Sequence, residues 1–352
     1  MTTFPAALPM PRTPDPRSAP TLRWGVMGTG WIAERFVASL QAHSSQDVVA
    51  VGSRRRDTAA AFAQKFGLPR VHGSYQDLVT DPAVDVIYVA TPHTEHLDGA
   101  LLALHAGKHT VVEKPFAINA DQARQIADVA QARGLFCMEA HWTTFLPKFD
   151  VVNQLLDDDA LGRVTAVVAD FGEWFPPEHR IFRPELAGGP MLDLGLYLVS
   201  FAVNVLGIPD LVMASSVPHA TGVQGQTGMI LTHGERQSVL HTTILTNTPT
   251  RATIAGTYAT VAIDGPFYQP GGFTVTSIDG ARTLSYREPR TAHAGGLHYQ
   301  AAEVARRITA GATESPMRTL DLTVSTIAVM DEIRRQTGDH FAVERLPASR
   351  TS

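Results

Sequence analysis

The chain has one cysteine, Cys137, which rules out a disulfide within the chain and fits a reducing, cytoplasmic compartment. It has no apolar run of the ~18 residues that a membrane-spanning helix needs, so no membrane partner is expected. It lacks an excess of positive charge. The formal net charge is -5, which leaves no general basic surface for nucleic acid or anionic lipid. No internal repeat is visible. Residues 1–20, "MTTFPAALPMPRTPDPRSAP", have neither the basic start nor the apolar core of a secretory signal. With six prolines and no amphipathic period, they read as a disordered tail, the alternative being an arm along a neighbouring subunit. What remains is a globular composition, 44% hydrophobic and 18% charged, in 352 residues, enough for two domains.

From residue 21 to about 142 the pattern alternates. The apolar runs "RWGVMG" (23–28), "DVVAVGS" (47–53), "VDVIYVATP" (84–92), "HTVVEKP" (109–115) and "LFCMEAHW" (135–142) read as strands buried on both faces. Between them lie amphipathic segments. Ile32, Phe36 and Leu40 are spaced by four; Phe62 and Phe66 share a face and Gly67 stops that helix; Asn119 caps 119–134 with Gln122 three residues on. Strand–helix–strand units with short links predict a doubly wound parallel sheet. Residues 143–352 read differently. Segments 163–172, 225–234, 236–246, 252–264 and 273–279 are β-rich and separated by Gly, Asn and Pro turns. Helices are expected at 190–207, 297–311 and 320–338. This predicts an α+β second domain on a mostly antiparallel open sheet.

"GTGWIA" (28–33) follows the first strand and opens the first helix. Gly28 allows the tight turn and Gly30 the close approach of a pyrophosphate. That group would sit on the backbone N–H groups of the helix start, around Thr29, Trp31 and Ile32. At the end of the next strand a site for NAD normally presents an acid to the ribose 2′-hydroxyl. Here the strand ends Ser53, Arg54, Arg55, Arg56, and Asp47 precedes it. A hydroxyl followed by guanidinium groups suits a 2′-phosphate, so NADP is expected over NAD, with at least one of the arginines solvated.

Two further stretches place polar groups where apolar ones would be expected. "VVEKPF" (111–116) sets Glu113 and Lys114 at the end of a buried strand and fixes the backbone with Pro115. "GGPMLDLGLY" (188–197) puts Asp193 and Tyr197 four apart, on one face of a helix that begins near Pro190. Asp193 would lie in the first turn, where a carboxylate suits the helix dipole whether or not it is catalytic.

Together, "GTGWIA", "SRRRDTAAAFAQKFG", "ATPHTEHLDGALLALHAGKHTVVEKPF", "MEAHWTTFLP" and "GGPMLDLGLY" resemble the glucose-fructose oxidoreductase / inositol dehydrogenase (Gfo/Idh/MocA) family over about residues 22–338. Tyr197, in place of the histidine of inositol dehydrogenases, makes the chain resemble dihydrodiol dehydrogenases and NADP-dependent D-xylose dehydrogenases. The resemblance implies an N-terminal Rossmann domain and a sheet-rich second domain that covers the nicotinamide. It also implies a C-terminal helix (320–337) packed back on the Rossmann domain, and dimers, or dimers of dimers, formed through the open sheet. Met229, Leu231, Val239 and Ile244 are the apolar residues read as facing that interface.

For the site, the resemblance implies a cis Pro115, with Lys114 reaching the cofactor ribose and the reacting oxygen and Glu113 orienting the cofactor or the turn. Thr91, Pro92 and His93 would lie against the nicotinamide half, and His96 at a polar position of the cofactor and substrate pocket. Trp142 and Phe171 would supply aromatic walls. Tyr197 would be the acid–base group, Lys114 its electrostatic partner and Asp193 the orienting carboxylate. No metal is expected, although His93, Glu95 and His96 are close in sequence, because no second ligand cluster accompanies them. The chain departs from the family in Thr144, where arginine is usual, and in His141, where an apolar residue is usual. The expected activity is hydride transfer between NADP and a ring C–OH or C=O of a small cyclic polyol, either an aldopyranose or a trans-vicinal diol. The alternatives are a keto-sugar reductase and a non-catalytic NADP(H)-sensing regulator.

Overall fold

The computed structural model describes residues 4–289, 294–341 and 344. Residues 1–3 and 345–352, assigned above to the tail and to the second domain, lie outside the described residues. The chain divides into two compact units. One comprises Thr13–Leu146 and Thr291–Val324, the other Met1–Arg12, Pro147–Arg290 and Ser325–Ser352.

The first unit alternates strand and helix: β1 (Arg23–Met27), α1 (Trp31–His43), β2 (Asp47–Gly52), α2 (Arg56–Phe66), β3 (Arg70–His72), α3 (Tyr75–Thr80), β4 (Val86–Val89), α4 (His96–His105), β5 (His109–Glu113), α5 (Ala120–Arg133) and β6 (Cys137–Ala140). Its strands run parallel in the order β3-β2-β1-β4-β5-β6, the doubly wound order of dinucleotide-binding folds. β4 is buried along its whole length, as a strand covered on both faces must be. The capping chemistry acts where the sequence places it. The Asn119 side chain accepts from Gln122 N–H, and Gly67 and Gly134 end their helices in the left-handed region. β3 and α3 are additions to the sequence reading, because three half-exposed residues and a six-residue helix carry too short a period to register.

The second unit begins with α6 (Pro147–Asp157) and β7 (Val164–Gly172). α7 (Leu196–Leu206), β8 (Leu211–Pro218), β9 (Gln224–His233), β10 (Arg236–Thr243), β11 (Ala252–Gly256), β12 (Ala259–Ile263), β13 (Phe273–Ser277) and β14 (Thr283–Tyr286) follow. Among the described residues they form an eight-stranded sheet ordered β14-β13-β12-β11-β7-β10-β9-β8, antiparallel except where β10 pairs with β7. α7 packs on one face of it. Against the expectation of no such run, the segment Pro184–Leu206 has the length and apolar composition of a membrane span. It is 94% buried inside the fold, as a core helix is.

Burial settles which face of this sheet is inward, and it corrects the residues chosen for the outer one. Met229, Leu231 and Ile244 are buried in the core. The residue between the first two, Ile230, faces the other way and pairs with Val239 and Met213, while Val239 pairs with Val168. Val168–Val239–Ile230–Met213 is therefore an apolar row across four strands of the open face, with Val168 50% and Met213 54% exposed.

Two assignments by chain position also differ. α8 (Leu297–Thr309), placed above in the second domain, belongs to the Rossmann unit. Its His298 Nδ1 lies 3.0 Å from Ser39 Oγ of α1. The division between units falls inside α9 (Leu320–Thr337), after Val324. At the far end of α9, Gln336 bonds to Val212 and Ala214 of β8. Residues 4–20 are held, not free. Phe4 is buried under the Arg282 guanidinium, Arg12 pairs with Asp150 at 2.9 Å, Arg306 donates to Asp15 O at 2.7 Å, and Ala19 packs on Ala302 and Ala305. Contacts made by irregular, proline-set backbone leave no periodic trace in sequence.

Candidate functional site

In the Rossmann unit the turn after β1 is shaped by glycine. Gly28 has φ +107°, and a Cβ there would come within 2.6 Å of Ala90 O. At Gly30 a Cβ would meet nothing within 4 Å, so backbone faces open space. α1 starts directly afterwards with Trp31, and the N–H groups of a first helical turn have no intrahelical partners. After β4, Thr91 Oγ1 is buried and makes no hydrogen bond among the described residues. An approachable backbone, the amides of a helix start and a buried hydroxyl fit a dinucleotide pyrophosphate and its riboses.

β2 is followed by Ser53, which is buried, with Arg54 exposed beside it. Arg55 Nε is turned to Thr58 Oγ1 at 3.1 Å and Arg56 lies against Gly73, so Arg54 is the arginine of the three that faces Glu95 beyond β4, at 3.9 Å.

β5 ends in the Glu113-Lys114-Pro115 turn, whose Lys114–Pro115 peptide is cis. Glu113 is buried. One carboxylate oxygen accepts from the Tyr88 hydroxyl and the other from Lys114 N–H at 3.1 Å. Burial pushes this carboxyl up to about 7, against the opposing pull of Tyr88 and Lys114. Glu113 thus orients the turn from within. His96 is wholly buried, with Nδ1 2.7 Å from Pro115 O and Nε2 3.0 Å from Thr91 O. Its ring ties the loop after β4 to the turn after β5. Both ring nitrogens are directed at backbone carbonyls. His93 is buried beside it, ring centroids 5.6 Å apart.

Behind the turn, Glu139 accepts from Phe116 N–H at 2.9 Å and from Arg318 Nε at 2.9 Å, and both charged side chains are fully buried. His141 is held neutral, its pKa well below the ordinary value through burial and then through the charges of Arg318 and Lys114. His141 Nδ1 lies 3.0 Å from Thr144 Oγ1, so the two departures from the family pattern are partners. Trp142 is buried against Gly296, where a Cβ would approach its ring to 3.2 Å.

In the second unit, Asp193 sits in a π-helical turn, Met191–Gly195, in which Leu196 N–H reaches Met191 O five residues back. Such turns often mark functional positions. Asp193 and Tyr197 are both buried, and Arg180 Nη2 donates to Asp193 Oδ1 at 2.9 Å. Tyr197 stands among aromatic rings. Phe171 is 5.9 Å and Tyr268 4.7 Å from it, centroid to centroid, and Phe171 and Tyr268 stack at 4.6 Å. Burial raises the Tyr268 pKa, which keeps it a neutral phenol, and Gln269 donates to its oxygen at 3.0 Å.

The structure thus gathers Gly28, Thr29, Gly30, Trp31, Ser53, Arg54, Thr91, Pro92, His93 and Lys114 at the carboxyl ends of the Rossmann strands, where ligands bind in open α/β sheets. It gathers Phe171, Asp193 and Tyr197 in the second unit. Sequence reasoning missed Arg180 and Tyr268. The charges of "HRIFR" and the aromatic pair in "PFYQP" were visible, but nothing local tied either to Asp193 or Tyr197.

Known proteins agree with this architecture. Residues 22–141 match the oxidoreductase family with an NAD-binding Rossmann fold, and residues 149–262 match the GFO/IDH/MocA C-terminal domain. The chain is 35% identical over 326 residues to a trans-1,2-dihydrobenzene-1,2-diol dehydrogenase of Xenopus laevis, covering 90% of this chain and 98% of that one. The human protein of the same name is 31% identical over 331 residues, covering 92% and 99%. In fold it is similar to a 3-ketoreductase from Actinomadura kijaniata in complex with NADP and TDP-benzene, with TM-score 0.79, 24% identity and coverage of 90% and 98%. It is also similar to a levoglucosan dehydrogenase in complex with NADH and levoglucosan, with TM-score 0.81, 17% identity and coverage of 91% and 97%. The chain is an oxidoreductase, and it belongs to the GFO/IDH/MocA family of NAD(P)-binding dehydrogenases and reductases.

Proposed function

We propose that the protein is an NADP-dependent dehydrogenase acting on a secondary or anomeric C–OH of a small cyclic substrate, a trans-vicinal diol or an aldopyranose. The observation that carries this reading is Tyr197, a side chain able to exchange a proton, set among the rings of Phe171 and Tyr268 with Asp193 one turn earlier. Aromatic faces bind the apolar face of a ring, while the hydroxyl and carboxylate address its polar edge. The name of the relatives, a dehydrogenase of a dihydrobenzene diol, is of the same substrate class.

In this reading the backbone of Gly28, Thr29 and Gly30 and the first turn at Trp31 and Ile32 hold the pyrophosphate. Ser53 and Arg54 hold the 2′-phosphate. Thr91, Pro92, His93 and Lys114 face the nicotinamide half. The nicotinamide, when bound, accepts or returns the hydride. Tyr197 takes the hydroxyl proton in oxidation and returns it in reduction. A phenol with its free pKa near 10 is a poor base at neutral pH, and a cation beside it favours the phenolate. That is the role assigned to Lys114. Asp193, fixed by Arg180, orients a substrate hydroxyl or Lys114. Trp142 and Phe171 exclude water from the reacting carbon. The single, buried Cys137 accords with a cytoplasmic setting. The apolar row of the open sheet accords with a homodimer or a dimer of dimers.

Purified protein mixed with a panel of monosaccharides and diols, with NADP reduction followed by absorbance, tests the reading. Turnover of a ring diol or aldopyranose supports it. Turnover only of keto-sugars with NADPH would make the enzyme a reductase, and silence toward all substrates with NADP still bound would make it a sensor.

A further inference from the structure

Three successive strand ends of the Rossmann unit send side chains to one place. Arg54 follows β2, Tyr75 opens α3 directly after β3, and Glu95 closes the 3-10 turn after β4. Arg54 Nη1 lies 3.9 Å from Glu95 Oε1. The Tyr75 hydroxyl lies within the field of both. Burial raises its pKa first, the Arg54 guanidinium lowers it and the Glu95 carboxylate raises it. β2 and β4 are the two neighbours of β1, so side chains from their ends that approach each other do so in front of the Gly28–Gly30 turn.

We infer that Glu95 sets how strongly this enzyme prefers NADP over NAD, by opposing Arg54 at the position of the 2′-phosphate. This rests on the role given to Arg54 above. The end of β2 has no acid to receive a ribose 2′-hydroxyl; Glu95 brings one to the same region from the far side of β1. A 2′-phosphate carries nearly two negative charges at neutral pH. Arg54 attracts it and Glu95 repels it. The neutral 2′-hydroxyl of NAD meets no such repulsion and finds in Glu95 an acceptor, the part an acid plays at the end of the second strand in NAD-specific folds. The paired charges therefore grade the preference, where an unopposed arginine would make it steep. Arg54 is largely exposed and Glu95 partly so, so the effect is modest and weakens with salt.

The test is calorimetric titration of the purified full chain with NADP and with NAD, for wild type, Glu95→Gln and Arg54→Ala. Glu95→Gln keeps the size of the side chain and removes its charge. It is expected to tighten NADP about three- to tenfold while NAD stays within about twofold or weakens, and the NADP gain should shrink on adding salt. Unchanged affinities in Glu95→Gln, or equal tightening of both cofactors, overturn the inference. Arg54→Ala separates the two layers. If it selectively weakens NADP while Glu95→Gln does nothing, the NADP assignment stands and the role of Glu95 falls. If Arg54→Ala leaves the NADP-to-NAD ratio unchanged, the assignment of the 2′-phosphate site falls, and the inference with it.

Discussion

Arg180 holds Asp193: its Nη2 donates to Asp193 Oδ1 at 2.9 Å, joining a half-exposed guanidinium on a 3-10 turn to a buried carboxylate in the π-turn that precedes Tyr197. A buried carboxylate stripped of its cation loses orientation as well as charge balance. Arg180→Ala is expected to lower kcat about tenfold, at the lower end of a charge-assisted bond because the guanidinium is partly solvated. Arg180→Lys should recover part of the loss. Steady-state kinetics on a turned-over substrate would count against the role of Arg180 if the alanine variant matched wild type.

Tyr197→Phe removes one oxygen from the aromatic cluster and leaves the packing of Phe171 and Tyr268 in place. Loss of a general acid–base group costs about 10²–10⁴ in rate, so kcat should fall by that factor with NADP affinity unchanged. Lys114→Met should also lower kcat. Near-normal turnover by Tyr197→Phe would move the proton chemistry to another group.

Glu113 gives a pH signature to stability. Its folded pKa of about 7 lies above the ordinary value of 4.5, so folding favours the protonated form. The associated stability is complete below about pH 4.5 and is lost as pH rises through 7. Integrated over that shift the loss is about 3 kcal/mol. Glu113→Gln keeps an acceptor for the Tyr88 hydroxyl and cannot ionise. The difference in urea midpoint between variant and wild type should therefore grow from pH 5 to pH 8 in favour of the variant. A difference that does not change with pH would show that Glu113 does not titrate there.

The row Val168–Val239–Ile230–Met213 is expected to lie in a homodimer interface. Wild type should be dimeric or larger by light scattering at micromolar concentration. Ile230→Asp, at the centre of the row, should yield a folded monomer, because an unpaired charge there is desolvated on association. A wild-type monomer would exclude the interface.

Much of the Rossmann unit can be read from the chain because its signals are local. Buried parallel strands are continuous apolar runs, helices repeat every 3.6 residues, and glycine marks the positions where a Cβ cannot stand, as at Gly28. The elements missed there, β3 and α3, are too short for either period to show. In the second unit alternation says that Met229 and Ile230 face opposite ways. It cannot say which way is inward, because that depends on where α7 packs. Met229, Leu231 and Ile244 were assigned to the outer face for that reason.

The candidate site divides along the same line. Gly28, Gly30, Ser53, Arg54, Lys114, Asp193 and Tyr197 stand in short motifs whose spacing is itself the signal. What the tertiary structure decided are relationships across long stretches of chain. It puts Tyr268 against Phe171 and Tyr197, Arg318 on Glu139, His298 of α8 on Ser39 of α1, 259 residues away in sequence, His96 under Pro115, and Glu95 opposite Arg54. Each of these residues taken alone has an ordinary local environment. Burial and charge pairing act through space, so only closure of the fold assigns Glu95 its guanidinium and Asp193 its own.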